Sequence, residues 1–209
     1  MYLPRAFAES DLAALDALVA RDNFLTLVTV REDAPMVSHL PVLYRRDGDV
    51  VELRGHWARP NPQSRHSGPA LAIVHGPHAY VSPSWYPDKE PAARVPTWNY
   101  AVAHLAGELT TFDDEASLAS IVDGLSRQHE AHVASNWRYE HEREDIRSQL
   151  SGIVGFAFAV HGVQLKFKLN QNHPRANRVA VAERLDAQER EASREIAALM
   201  RRQSDDTGD

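Results

Sequence analysis

Side chains able to do chemistry gather in three stretches of this 209-residue chain. In the first, Arg54-Gly55-His56-Trp57-Ala58-Arg59-Pro60-Asn61-Pro62-Gln63 reads as a strand end feeding a polar loop. A guanidinium there supplies a planar fork suited to phosphate, and Asn61 adds an amide. His39, within Ser38-His39-Leu40-Pro41-Val42, and His56 sit in strands or at strand ends, where ligand-facing side chains emerge. Each reads equally well as a ligand contact or as a satisfied buried histidine. In the second stretch, Lys166 and Lys168 share one strand face and lead into Asn170-Gln171-Asn172-His173-Pro174, whose amides can bond both donors and acceptors of a heteroaromatic ring. The third, residues 80–100, gathers Tyr80, Trp85, Tyr86, Trp98 and Tyr100 around Pro83, Pro87, Pro91 and Pro96. Four prolines rule out a helix or a central strand over 82–96, and so many aromatic residues argue against disorder. An ordered loop that walls a flat ligand or a partner subunit is expected.

Other chemistries are poorly supplied. There are no cysteines, which removes thiolate metal sites, cysteine nucleophiles and disulfides. The sequence lacks G-x-G-x-x-G, a P-loop, G-x-S-x-G and H-E-x-x-H. With only 10 glycines, phosphate must be held by side chains and isolated amides. His129 and His132 share a helical face, with His141 downstream, but no carboxylate falls at a diagnostic offset. They read as a solvated helix end, and no metal is expected. A net charge of −6 opposes a surface built wholly for nucleic acid, although a local basic patch is compatible with it. No apolar run reaches membrane-spanning length and no signal peptide opens the chain, so a cytoplasmic location is expected.

The elements that must position these residues are mostly strands. Ser10 and Asp11 cap a helix carrying Leu12, Leu15, Leu18 and Val19. Strands follow at 24–30, 36–44 and 50–55, with a turn over 32–35, a hairpin signal at Asp47-Gly48, and Pro41 demoting its strand to an edge or a bulge. After a loop over 57–68, a short strand at 70–75 continues at 79–81. Residues 97–111 suit a bent strand with Gly107 at the bend. Asp113 or Asp114 starts a helix with Leu118, Ile121, Val122 and Leu125 inward, and a second helix covers about 142–150. Alternation through Phe156, Phe158 and Val160, then Val163, Leu165, Phe167 and Leu169 on either side of Gly162, predicts the last sheet segment. A charge-laced helix over about 176–202, with an Asp186–Arg190 pair, and a frayed tail at 204–209 complete the chain. The pattern predicts a mainly β, α+β fold: a small barrel with helical additions, as one domain (about 1–175, then a helix over about 176–203).

Five motifs in order, MYLPRAF at the start, RGHWARPNPQ at 54–63, YVSPSWYPDK at 80–89, VPTWNYAVAHLAGEL at 95–109 and KFKLNQNHP at 166–174, resemble the PaiB family of FMN-binding negative transcriptional regulators. The likeness covers about residues 1–182, and departs from the family pattern at Phe167 and His173. It implies an FMN-binding split β-barrel and a homodimer with FMN at the subunit interface. By the same resemblance the flavin ring lies along His39, Leu40, Pro41 and Val42, and the phosphate near His56, Ala58, Arg59 and Asn61. Trp98, Asn99, Tyr100, Lys168, Gln171 and Asn172 close the site, from either subunit. The first functional expectation is an FMN-binding regulatory protein, without a visible DNA-reading helix. The alternative is a flavin-dependent oxidoreductase using NAD(P)H, in which the cofactor carries the redox chemistry. A third is a haem-binding split barrel, with His161 or His173 on iron, and a fourth is a structural dimer with an empty site.

Overall fold

The computed structural model describes residues 1–206. Eight strands form one mainly antiparallel sheet: β1 (Ala8–Glu9), β2 (Phe24–Arg31), β3 (Ala34–Pro41), β4 (Leu43–Asp47), β5 (Val50–Ala58), β6 (Gly68–Val81), β7 (Thr97–Phe112) and β8 (Ile153–Lys168). Their order is β3-β2-β6-β7-β8-β5-β4, with β1 beside β8. The α-helices are α1 (Leu12–Arg21), α2 (Glu115–His132), α3 (Glu144–Arg147), α4 (Arg175–Asp186) and α5 (Glu191–Asp206). The α+β class expected from the hairpin pattern is the one observed.

Turn chemistry sets the registers. Glu32 and Asp33 both take positive φ, 51° and 61°, which closes β2 onto β3 with Arg31 opposite Ala34. That is the two-residue turn whose twist matches paired strands. The single strand expected over 36–44 instead breaks at Val42. Its N–H bonds Asn23 O at 3.1 Å, and the chain then leaves β2 so that Leu43 pairs with Arg54 of β5. Pro41 marks the end of β3, which lies at the end of the sheet order, as its missing N–H suggests. β8 runs unbroken through Gly162, and β6 through Gly76-Pro77. On β7, a Cβ at Gly107 would collide with the Ala159 carbonyl, so glycine there allows a close backbone approach. The helix expected over 142–150 is shorter: α3 gives way to a 3₁₀ turn, Ser148–Gly152.

The chain divides into two compact units. One comprises Val19–Val74 and His104–Val163. Leu25, Leu27, Leu40, Leu53, Leu105, Leu109, Phe156 and Phe158 form its core, and α2 adds Leu118, Ile121 and Leu125. Asp114 caps α2 by accepting the Ser117 N–H at 2.9 Å. The other comprises Met1–Leu18, His75–Ala103 and the chain from Gln164 onward. Its core includes Leu15, Val81, Ala103, Leu165 and Leu169, with Val181, Leu185, Ile196 and Met200. Full burial of side chains of this size stabilises by about 1.5–3 kcal/mol each.

The single C-terminal helix expected over 176–202 is in fact two. The chain turns at 187–190 and α5 folds back on α4, with Val181 and Leu185 of one helix and Ile196 and Met200 of the other all buried. Two short apolar stripes gain more by covering each other than by sharing one sparse face. The Asp186–Arg190 pair is therefore replaced: Asp186 holds Arg201 at 2.8 Å and Arg190 reaches His78 at 3.0 Å. α5 continues to Asp206, and the tail expected to fray falls, from 207 on, outside the described residues.

Candidate flavin-binding surfaces

In the first unit the candidate surface is built on β3. Counting in twos from the Arg31/Ala34 pair, Met36, Ser38 and Leu40 bond β2, and the Val42–Asn23 bond continues that phase. Pro35, Val37, His39 and Pro41 therefore turn their backbone groups away from β2. Two of these four have no N–H, so Val37 and His39 are the outward donors of this edge. Pro41 O faces β5 closely: a Cβ on Gly55 would sit 3.1 Å from it. Of the run 39–42, His39 presents its backbone outward, Leu40 and Val42 face β2, and Pro41 abuts β5. The exposed His39 ring is held by Nδ1 at 3.0 Å from Thr26 Oγ1.

Gln63 locks this hairpin from the core side. It is 1% exposed, and its Nε2 lies 3.2 Å from Leu27 O, 3.1 Å from Thr29 Oγ1 and 3.1 Å from Met36 O. His66 Nδ1 joins Thr29 Oγ1 at 2.7 Å. The turn that carries Gln63 is capped by Asn61, whose Oδ1 accepts the Gln63 N–H at 2.9 Å while Nδ2 donates to Ser38 Oγ at 3.0 Å. Pro62 follows the cap directly, a position where its missing N–H loses nothing. Arg59 is equally committed. Its Nε and NH2 donate to Ser151 O and Ile153 O at 2.6 and 2.9 Å, and NH1 stands 3.6 Å from Asp113. Ala58 is the exposed last residue of β5.

A cavity of about 460 Å³ opens beside these ties, lined by Arg59, Ser64, Arg65, Thr111, Phe112, Asp113 and Val154. Arg65 is exposed and has no carboxylate partner among the described residues, so it is the cation here with its charge to spare. On β5, His56 is half-buried and its Nδ1 has no partner. Burial pushes its pKa down, so the ring is neutral near pH 7. Trp57, 3% exposed, packs tilted against Phe156 with ring centres 4.6 Å apart and its Nε1 unbonded.

In the second unit Trp98 is 48% exposed, with Tyr80 edge-on at 5.8 Å and His78 at 6.0 Å. Tyr100 lies 5.3 Å from Lys166 Nζ, which Tyr2 covers from 5.4 Å. Lys166 is therefore buried, not the solvent-facing residue that alternation suggests. Lys168 donates to Trp98 O at 2.7 Å and to Thr97 Oγ1. Burial, and then its neighbour Lys166, push the Lys168 pKa down. Asn99 is fully buried, with Nδ2 on Met200 Sδ at 3.4 Å. Gln171 is spent on backbone: Oε1 accepts the Leu169 N–H at 2.6 Å and Nε2 donates to Phe167 O. Asn172 is exposed and lines a cavity of about 260 Å³ with Arg94, Thr97, Lys168, Asn170 and His173.

The aromatic–proline loop is ordered by an interior clamp. Tyr86 is buried, accepts from Asn170 Nδ2 at 2.9 Å and stacks on His173 at 4.8 Å. Asp88 takes Arg94 and, at 2.7 Å, Asn177 Nδ2, and these partners hold its pKa down at about 2. Sequence reasoning did not single out Ser64, Arg65 and Thr111 as neighbours of the candidate surface. The Asn61-Pro62 cap was the signal that could have placed the first two.

The family model described as "Putative FMN-binding domain" matches residues 1–162. The chain belongs to that family. FMN is thus the cofactor by which its family is defined, and the PaiB resemblance holds. "Protease synthase and sporulation protein PAI 2" of Bacillus subtilis (strain 168) is 31% identical over 204 residues, covering 96% of each chain. Two solved structures share the fold. An FAD and heme binding protein from Mycobacterium smegmatis has 18% identity and a TM-score of 0.57, covering 77% of this chain and 73% of that one. The flavocytochrome Anf3 from Azotobacter vinelandii has 15% identity and a TM-score of 0.55, covering 79% and 72%. The fold is the flavin-binding split barrel.

Proposed function

We propose that this PaiB-type protein binds FMN as a homodimer and acts as a flavin-dependent regulatory protein. The observation that carries the reading is the outward edge of β3, where His39 offers an N–H and a C=O that β2 does not use, in a chain of an FMN-binding family. The donor set fits the cofactor. A flavin's pyrimidine edge has carbonyls and an imide N–H, which need backbone donors and acceptors. A phosphate needs the guanidinium and hydroxyl that Arg65 and Thr111 bring to the 460 Å³ cavity. Leu40, Val42, Ala58, Arg59 and Asn61 frame these groups, while Pro41 and Gly55 bring two strands together. Neutral His56 can hold or release a proton at Nδ1. When bound, FMN supplies one- or two-electron transfer. The chain's own residues bind it, orient it and exclude water.

The homodimer is proposed from one sheet face. Phe24, Val30 and Val37 are 52%, 65% and 53% exposed, and Val28, Leu71 and Ile73 lie on the same side by register. Such an apolar face fits a second copy, related by a two-fold axis. Trp98, Tyr100, Lys168 and Asn172, braced by Asn99 and Gln171, are proposed as the wall that the partner copy supplies. The regulatory role comes from the PaiB resemblance. The net charge of −6 favours regulation without a broad DNA surface.

The deciding experiment is an absorbance spectrum of the purified protein followed by FMN titration. Quenched flavin fluorescence at one FMN per chain, on a dimer measured by light scattering, is expected. A colourless protein that leaves FMN fluorescence unchanged sinks the reading. With FMN bound, NAD(P)H oxidation under air no faster than with free FMN fits a regulator, and sustained turnover makes it an enzyme instead.

A further inference from the structure

A further polar cavity is built, apart from Ala6, from residues beyond the family-matched stretch 1–162. It measures about 660 Å³ and is lined by Ala6, Gln171, His173, Pro174, Arg175, Arg178 and Gln203. No carboxylate is among these residues. Arg94 is held by Asp88 and Arg201 by Asp186, whereas Arg175 and Arg178 have no ion-pair or hydrogen-bond partner among the described residues. Two of the lining residues each carry a buried nitrogen without a bond: Arg178 Nε and His173 Nδ1.

A buried, unsatisfied guanidinium N–H loses its hydration without return, so a native chain that keeps one is compensated by a ligand, an ion or a water. Charge decides among these. Two guanidinium groups facing one concavity, in a chain of net charge −6, repel each other and any cation but attract a compact dianion. The fork of a guanidinium matches the oxygens of phosphate. The His173 ring is held by its stack on Tyr86, which fixes where Nδ1 points. Gln171 contributes shape only, because its amide is spent on backbone.

We propose that Arg175, Arg178 and His173 form a binding site for a small phosphorylated ligand, adjoining the wall of Lys168 and Asn172 at His173. The cavity's volume is within the range of small-molecule sites, and its concave shape suits a metabolite-sized phosphate ester better than a duplex backbone. In a regulatory flavoprotein this is an effector site, although phosphate binding here does not depend on whether FMN binds elsewhere.

Inorganic phosphate is titrated into the full chain at constant ionic strength, with and without saturating FMN. Calorimetry and the His173 imidazole resonances report binding. A saturable one-site response is expected, equal with and without FMN and absent with chloride. Arg175→Ala and Arg178→Ala should each weaken it about tenfold or more, as loss of a charge-assisted hydrogen bond does, while FMN affinity stays within about twofold. Arg175 is exposed, so its variant reports even if Arg178→Ala folds poorly. No saturable response, or one matched by chloride, overturns the proposal. FMN affinity falling with phosphate affinity in either variant also overturns it, since the cavity would then seat FMN's own phosphate. Tighter binding of duplex DNA with a steep salt dependence would assign the arginines to nucleic acid instead.

Discussion

Gln63→Glu tests whether a single amide holds the β2–β3 hairpin in register. The change is isosteric, but it replaces the NH2 that faces Leu27 O and Met36 O at 3.2 and 3.1 Å with a second oxygen. Two donated hydrogens are lost, at about 1 kcal/mol net each. An ionised carboxylate against two carbonyl oxygens is worse, so the buried acid takes up a proton and its folded-state pKa rises. Holding that proton at pH 7 against an unfolded pKa near 4.3 costs about 3.7 kcal/mol, at about 1.36 kcal/mol per pH unit. The O–H then returns one bond, about 1 kcal/mol, for a total loss near 5 kcal/mol at pH 7. At pH 5 the proton costs only about 1 kcal/mol and the total falls to about 2. The sign follows from linkage. The folded variant binds more protons than the unfolded chain above pH 4.3, so its stability declines as pH rises until the raised folded pKa is passed. Urea unfolding of wild type and variant at pH 5 and pH 7 measures the double difference, expected at about 3 kcal/mol. An equal loss at both pH values, or a loss below about 1 kcal/mol at pH 7, refutes the reasoning. FMN affinity should follow the same pH trend, because the edge at His39 depends on this hairpin.

Arg65→Ala should weaken FMN about tenfold or more, measured by fluorescence quenching, and shift the urea midpoint little, because this exposed side chain supports nothing else. Equal FMN affinity in the variant removes Arg65 from the phosphate site. Val37→Lys places a charge in the middle of the exposed apolar face and should give a monomer in light scattering; a dimer that persists moves the interface elsewhere. His56 has a folded pKa below its usual 6.5, so wild-type stability should be intact above pH 6.5 and decline as pH falls from there through the lowered folded value. His56→Asn should flatten that slope in unfolding curves at pH 5 to 7; an unchanged slope places its origin in another group.

Much of the sheet was legible because turn chemistry and alternation are local. Asp47-Gly48, Pro41 and the period-two run from Phe156 each announce their strand without any tertiary information. The failures are those where a distant partner decides. Nothing near residue 187 forbids a continuous helix; α4 and α5 separate because each stripe finds the other. Likewise alternation marks Lys166 as part of a polar strand face, but cannot reveal that Tyr2 and Tyr100 lie over it.

The same distinction explains why the most conspicuous site residues turn out to be framework. Arg59 and Asn61 are long-reaching or bifunctional groups placed where a strand ends, and a strand end leaves backbone carbonyls and amides that must be bonded. Arg59 answers Ser151 O and Ile153 O, and Asn61 answers the Gln63 N–H. A donor that satisfies the chain is not available to satisfy a ligand as well, and even the Ser64 hydroxyl donates to Arg59 O at 3.3 Å, so the candidate for ligand contact is displaced to Arg65. In the other unit Gln171 is consumed by its own strand end, and Asn172 is left exposed. Motif residues proposed as cofactor contacts are therefore of two kinds, distinguished by whether the local backbone already claims them. The measurable consequence is a split in phenotype: Asn61→Ala should lower stability and FMN affinity together, whereas Arg65→Ala should lower affinity alone.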